Sequence, residues 1–166
     1  MPGLITDFLI SLDARFVYFM NWLHGDIRQY NIEDPKHPML TGQVWFGGQF
    51  QKGSSIVVTT EDGNTWQSYV PYIQGNKLRG GPQMIQLSLE GKRLYVTNSL
   101  FSANKQVYQE LIEKGSHMLQ IDVDSEEGGI KINPKFFVDF GTEPNGPSLV
   151  HEMRYPGGDG TLDIWI

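Results

Sequence analysis

The sequence predicts an all-β fold: antiparallel four-stranded blades of a β-propeller, incomplete, with about two blades plus one strand and one short inserted helix. Three observations carry this reading. Apolar and polar residues alternate at period two over short stretches, which Gly, Pro, Asn and Asp clusters interrupt. Four such stretches run in series over about 4–46, and the plan recurs over about 82–140. Matched residues stand 77 positions apart in the two copies: Ser11-Leu12-Asp13 with Ser88-Leu89-Glu90, Tyr18 with Tyr95, Asn21 with Asn98, Leu23 with Leu100. Four-stranded repeats with Gly-rich corners are the signature of propeller blades. A β-sandwich of plain meanders alternates as well, but it has no reason to keep that register.

Each element follows from local chemistry. Thr6 to Leu12, Phe16 to Trp22, Asp26 to Ile32 and Leu40 to Phe46 read as the first four strands, with Phe16, Tyr18 and Met20 on a core face. Asp13, His24-Gly25 and Asp34-Pro35 supply the turns between them. An insertion over about 54–78 holds a hairpin, Ile56 to Thr60 and Thr65 to Val70, around Glu61-Asp62-Gly63-Asn64. A second insertion, about 103–115, interrupts the second copy. Its stretch from Asn104 to Lys114 spaces Val107, Leu111 and Ile112 for one helical face, and Gly115 stops it. Strands resume at His117 to Val123, and the last is Phe136 to Phe140. Gly146-Pro147 echoes Gly81-Pro82 and opens a further blade over about 147–166, all within a single partial propeller domain, 1–166. Propellers close with about four to eight blades, so the chain is expected to be part of a larger wheel or to self-assemble, as a homo-oligomer, into one.

Composition narrows the function. With 166 residues the chain is one domain. No run reaches the roughly eighteen apolar residues of a membrane span, and the first residues lack the basic start of a signal peptide. Cys is absent, which excludes disulfides, thiolate metal sites and a cysteine nucleophile. A net charge of −6 argues against nucleic-acid binding. A soluble, cytoplasmic protein is expected.

No Gly-rich phosphate loop, Gly-x-Ser-x-Gly elbow or His-Glu-x-x-His motif occurs. The pairs Gly47-Gly48, Gly80-Gly81 and Gly157-Gly158 read as tight corners with positive φ. Four histidines remain informative. His24 lies in the second-to-third turn of the first blade, and His151 on the innermost strand of the incomplete one, just past the inter-blade link. Propeller topology puts both on one face near the central channel, where they can share a metal ion. Imidazole sites want three or four ligands, so the pair is part of a site. Asp26 and Glu152 stand beside them, either as acceptors that fix the imidazole tautomer or as solvated turn acids. His37 falls on the opposite face. His117 opens a third strand on the favoured one. Arg154, next to Tyr155, reads as an anion contact or as a partner for a cross-strand acid.

Several long stretches resemble the selenium-binding protein family. They are Asn21-Trp22-Leu23-His24-Gly25-Asp26-Ile27-Arg28-Gln29-Tyr30, Arg79-Gly80-Gly81-Pro82-Gln83-Met84-Ile85-Gln86-Leu87-Ser88-Leu89, His151-Glu152-Met153-Arg154-Tyr155-Pro156-Gly157-Gly158-Asp159 and Asp163-Ile164-Trp165-Ile166. The wording looks like that of plant members, and the stretches run in family order. The resemblance implies a seven-bladed propeller enzyme, methanethiol oxidase, which converts methanethiol, oxygen and water to formaldehyde, hydrogen sulfide and hydrogen peroxide with copper. It covers the family's C-terminal third, places His24 and His151 in the copper-site motifs, and implies a small thiol substrate. One departure is Gly160, where the family tail has Cys, and Leu162 replaces a usual Ser. Three expectations follow: an enzyme piece carrying part of the copper site and inactive alone, a non-catalytic binding scaffold, or a self-assembling fragment.

Overall fold

The computed structural model describes residues 1–100 and 108–156. Its described part is nearly all β, with two four-stranded antiparallel sheets and a single short α-helix. The first sheet runs in chain order through β1 (Ile5–Ile10), β2 (Phe16–Asn21), β3 (Asp26–Asn31) and β4 (Met39–Trp45). These are the four strands that the alternation predicts, each within two residues or so of its expected ends.

The insertion over 54–78 holds two small hairpins rather than one. β5 (Val58–Thr59) pairs with β6 (Thr65–Trp66), around the expected turn but shorter than the sequence suggests. β7 (Tyr72–Ile73) then pairs with β8 (Asn76–Lys77) around Gln74-Gly75. The second sheet is β9 (Met84–Leu87), β10 (Arg93–Thr97), β11 (His117–Val123) and β12 (Ile130–Asp139), again neighbours in chain order. β12 starts six residues before the expected Phe136. Pro134, which the alternation reads as a break, is tolerated because β12 is an edge strand and its register shifts between Leu119 and Ile121 of β11. Gln74 Nε2 donates to the Pro134 carbonyl at 3.4 Å, which ties the β7–β8 hairpin to that strand.

The inserted helix, α1 (Gln109–Lys114), is one turn and a half, and Gly115 at φ 75° ends it as expected. Val107 and the start of the expected helix lie outside the described residues. Leu111 is buried against Trp22 and Tyr108, whereas Ile112 is exposed. Adjacent helical residues point about 100° apart, so the two cannot share a face. No strand forms at 147–155. That segment instead bonds to the second sheet's end: Ser148 N–H donates to the Phe140 carbonyl, and Ser116 N–H donates to the Ser148 carbonyl, both at 2.9 Å.

The repeat is visible as geometry. Phe16 N–H donates to Ser11 Oγ at 2.9 Å, and Arg93 N–H donates to Ser88 Oγ at 3.1 Å. Ala14 N–H donates to the Ser11 carbonyl and Gly91 N–H to the Ser88 carbonyl, both at 2.8 Å. The serine hydroxyl closes the same turn in both copies. The sheets then stack face to face, with Phe16, Tyr18, Met20, Ile27 and Phe46 of the first against Ile85, Leu87, Leu94, Val96 and Ile121 of the second. Burying each such side chain contributes on the order of 2 kcal/mol, so this layer is the main source of cohesion.

Candidate functional site at the glycine-rich end

Antiparallel order sorts the turns between two ends of the sheets. The β1–β2, β3–β4, β9–β10 and β11–β12 turns lie at one end. The β2–β3 turn, the exit of β4, the start of β9, the exit of β10 and the start of β11 lie at the other. His24, His117 and His151 belong to this second end, and His37 to the first. His37 is exposed and its Nδ1 sits 2.8 Å from Asp34 Oδ2.

The second end closes through glycine. Gly48, at φ 82°, lies where any Cβ would run into the His24 carbonyl, and its N–H donates to the Gly80 carbonyl at 2.7 Å. Gly81 has no positive φ; a Cβ there would meet the Trp22 carbonyl. The corners therefore need glycine partly for φ and partly for close backbone approach. Gly157-Gly158 lies outside the described residues.

His24 is half-buried. Its ring packs on Phe50, centroids 4.6 Å apart, and Nε2 lies 3.0 Å from the Met1 carbonyl. A carbonyl only accepts, so Nε2 carries the proton and Nδ1 is the acceptor nitrogen. His151 is held the opposite way round: Nδ1 lies 2.9 Å from the Ser99 carbonyl, so Nδ1 donates and Nε2 is the acceptor nitrogen. Each imidazole thus has one nitrogen committed to a backbone carbonyl, the arrangement that orients metal-binding histidines. Among the described residues no group of three or more His, Asp or Glu side chains is gathered for a metal ion. Imidazole is a common donor to transition-metal ions, and two of them make at most part of a ligand set.

Asp26 is neither a solvated turn acid nor an acceptor for His24. It is fully buried and takes hydrogen bonds from Asn21 Nδ2 at 3.0 Å, Arg28 Nε at 2.7 Å and Gln43 Nε2 at 2.5 Å. Its position on β3 directly opposite Asn21 on β2 puts it inside the sheet's own polar network. Glu152 pairs with Arg154, two residues on. Both line a cavity of about 430 Å³ with Tyr95, Met118, Met153 and Tyr155.

His117 is buried, stacked on Phe46 with centroids 5.2 Å apart, and its backbone N–H donates to Asn98 Oδ1 at 2.9 Å. Burial, helped by the nearby Arg79 charge, pushes its pKa down to about 3. It is a neutral structural histidine. Gln83, which the sequence offers only as one residue of the Arg79 to Leu89 stretch, is buried beside His151.

Fold and site define a class: stacked four-stranded antiparallel sheets whose histidine-bearing turns gather at one end. The chain belongs to the selenium-binding protein family, since the family described as 56kDa selenium binding protein (SBP56) matches residues 1–166. It is 74% identical to selenium-binding protein 1 of Arabidopsis thaliana, over 100% of this chain and 34% of that protein. It is 62% identical to methanethiol oxidase of Rattus norvegicus and 59% identical to that of Homo sapiens, in each case over 100% of this chain and 35% of the other. The chain thus spans about a third of the length of these relatives. The X-ray structure of a hypothetical selenium-binding protein from Sulfolobus tokodaii superposes with a TM-score of 0.69 at 36% identity, covering 95% of this chain and 29% of that one.

Proposed function

We propose that this chain supplies part of a copper-dependent methanethiol oxidase, which converts methanethiol, dioxygen and water to formaldehyde, hydrogen sulfide and hydrogen peroxide. The observation that carries this reading is identity along the whole chain to proteins named methanethiol oxidase. His24 through Nδ1 and His151 through Nε2 are the groups that would hold copper, with further ligands from outside the described residues. Bound copper would supply electron exchange with the thiol and dioxygen. The protein residues hold the two rings in fixed tautomers by their backbone-carbonyl contacts. The stacked sheets are read as consecutive propeller blades. This chain has no Cys, so it makes no covalent thiol link to selenium itself, and a cytoplasmic location is proposed together with the family reading. Among the described residues, no helix is long and apolar enough to cross a membrane.

The isolated chain is expected not to turn over methanethiol, because two imidazoles leave the metal loosely held and loosened geometry costs orders of magnitude in rate. The test is copper titration under native mass spectrometry together with peroxide release. Copper binding that His24→Ala weakens and His37→Ala does not is the expected result. No copper binding overturns the metal assignment and favours the scaffold reading. Peroxide release from methanethiol well above a free-copper control overturns the claim that the chain is inactive alone.

A further inference from the structure

We propose that the outer face of the second sheet receives the outer face of the first sheet of a second copy of this chain, with Phe8 and Ile10 entering the cavity of about 430 Å³ beside Tyr95. The chain already makes this contact once, within itself. On the second sheet's inner face, Ile85 pairs across strands with Val96 and Leu87 with Leu94. On the first sheet's outer face, Phe8 pairs with Phe19 and Ile10 with Val17. These are the same two cross-strand pairs, shifted by the 77-residue offset. The first set is buried, whereas Phe8 and Ile10 stand exposed.

The receiving side repeats as well. Leu9, Tyr18 and Gln29 stand in register across the first sheet's inner face, and Gln86, Tyr95 and Gln120 stand likewise across the second sheet's outer face. Inside the chain the Tyr18 face is covered: Ile85, Leu87, Leu94 and Val96 form one cluster with Tyr18 and Ile27, and Leu9 packs against it. Gln29 reaches over to the neighbouring sheet, where its Oε1 accepts from Gly129 N–H at 2.5 Å. On the Tyr95 face the corresponding space is the cavity, walled by Tyr95, Met118, Phe140, Val150 and Met153. Met118, paired with Thr97, holds the place that Ile27, paired with Met20, holds in the first sheet. Gln120 turns back along its own strand and donates from Nε2 to Asp122 Oδ1 at 2.9 Å. Protein interiors leave few voids larger than a water molecule, and large apolar faces left open mark interaction sites. A second copy is the occupant that fits, because its Phe8 face carries the pattern that already fills the equivalent space. The two faces differ, so each copy gives Phe8 to one neighbour and takes Phe8 from another.

Mixing two one-sided variants tests this. Phe8→Glu spoils the entering face and leaves the cavity intact, and Met118→Glu does the reverse. In light scattering the wild-type mass should grow with concentration, and each variant alone should stay monomeric. An equimolar mixture of the two variants should give a species of about twice the chain's mass and no larger, since one intact contact remains per pair. Ile10→Glu and Tyr95→Arg are the replacements should either first variant lose the circular dichroism of the fold. A mixture that stays monomeric overturns the proposal, and so does a monomeric wild type. A Met118→Glu chain that still dimerises would show the Phe8 face pairing with itself, which overturns it too.

Discussion

Replacing Asp26 by Ala tests how much of the first sheet hangs on one buried carboxylate. The side chain has no exposure and accepts from Asn21, Arg28 and Gln43. A hydrogen bond to a charged group contributes about 1.5–3 kcal/mol, but the three terms do not simply add. Arg28 has 30% of its side chain exposed and Gln43 is exposed, so both regain water once the carboxylate is gone. Asn21, at 6% exposure, does not. The loss therefore falls at the lower end of the range for breaking a buried charged pair, about 3 kcal/mol. Arg28→Ala removes one donor of three and leaves the carboxylate two, so it should cost less, about 1–2 kcal/mol. The double variant should cost less than the sum. Urea unfolding followed by tryptophan fluorescence measures all three. A loss below about 1 kcal/mol for Asp26→Ala, or a larger loss for Arg28→Ala than for Asp26→Ala, would refute the reasoning.

Other expectations come from the same structure. Ala14 has φ 58° at the place where the second copy has Gly91 with φ 73°; Ala14→Gly should stabilise by roughly 0.5 kcal/mol and Gly91→Ala destabilise by about 1 kcal/mol, read as shifts in the unfolding midpoint. His117 has its folded pKa depressed to about 3 by burial, so below about pH 6.5 the unfolded chain takes a proton that the folded chain refuses. Stability should fall by up to about 1.4 kcal/mol per pH unit, and His117→Asn should flatten that slope in unfolding curves at about pH 7, 6 and 5; equal slopes would contradict it. Phe8 and Ile10 are 57% and 47% exposed on the outer face of the first sheet. The chain should therefore self-associate, with a mass in light scattering that rises with concentration, and Phe8→Glu should reduce it; a monomer over a wide concentration range would sink the idea.

Much of the first sheet is legible because each strand alternates and each turn carries its own chemistry. Phe16, Tyr18 and Met20 are all fully buried, as their spacing requires. What escaped is what pattern does not encode. The two-residue strands of the β7–β8 hairpin are too short to show a period. β12 is hidden by Pro134, whose missing donor matters only if its strand has a neighbour on that side. The segment after Gly146 looks like a strand start, yet its backbone groups bond to Ser116 and Phe140 instead. At the site, topology was enough to put His24 and His151 at one end and His37 at the other. Charge is misleading: an acid beside a turn is normally solvated, and the cross-strand partner Asn21 with the donors Arg28 and Gln43 keeps Asp26 inside.

The 77-residue offset also explains why the outer apolar residues are not ordinary surface. Shifted by that offset, Phe8 becomes Ile85, Ile10 becomes Leu87, Val17 becomes Leu94 and Phe19 becomes Val96. In the second sheet those four are all buried, because that face lies on the first sheet. Tyr18, on the first sheet's inner face, becomes Tyr95, which lines the 430 Å³ cavity on the far side of the second sheet. Each sheet thus has one face of each kind, and the observed layer joins the Tyr18 face of one to the Ile85 face of the other. One face of each kind is left over: the first sheet's Phe8 face and the second sheet's Tyr95 face. Scattered exposed apolar residues need no explanation, but residues whose repeat equivalents are core do. The two leftover faces are complementary in kind, so a further sheet of the same pattern, docked on either side, would repeat a contact the chain already makes. Such a head-to-tail contact closes only if successive sheets turn through a full circle.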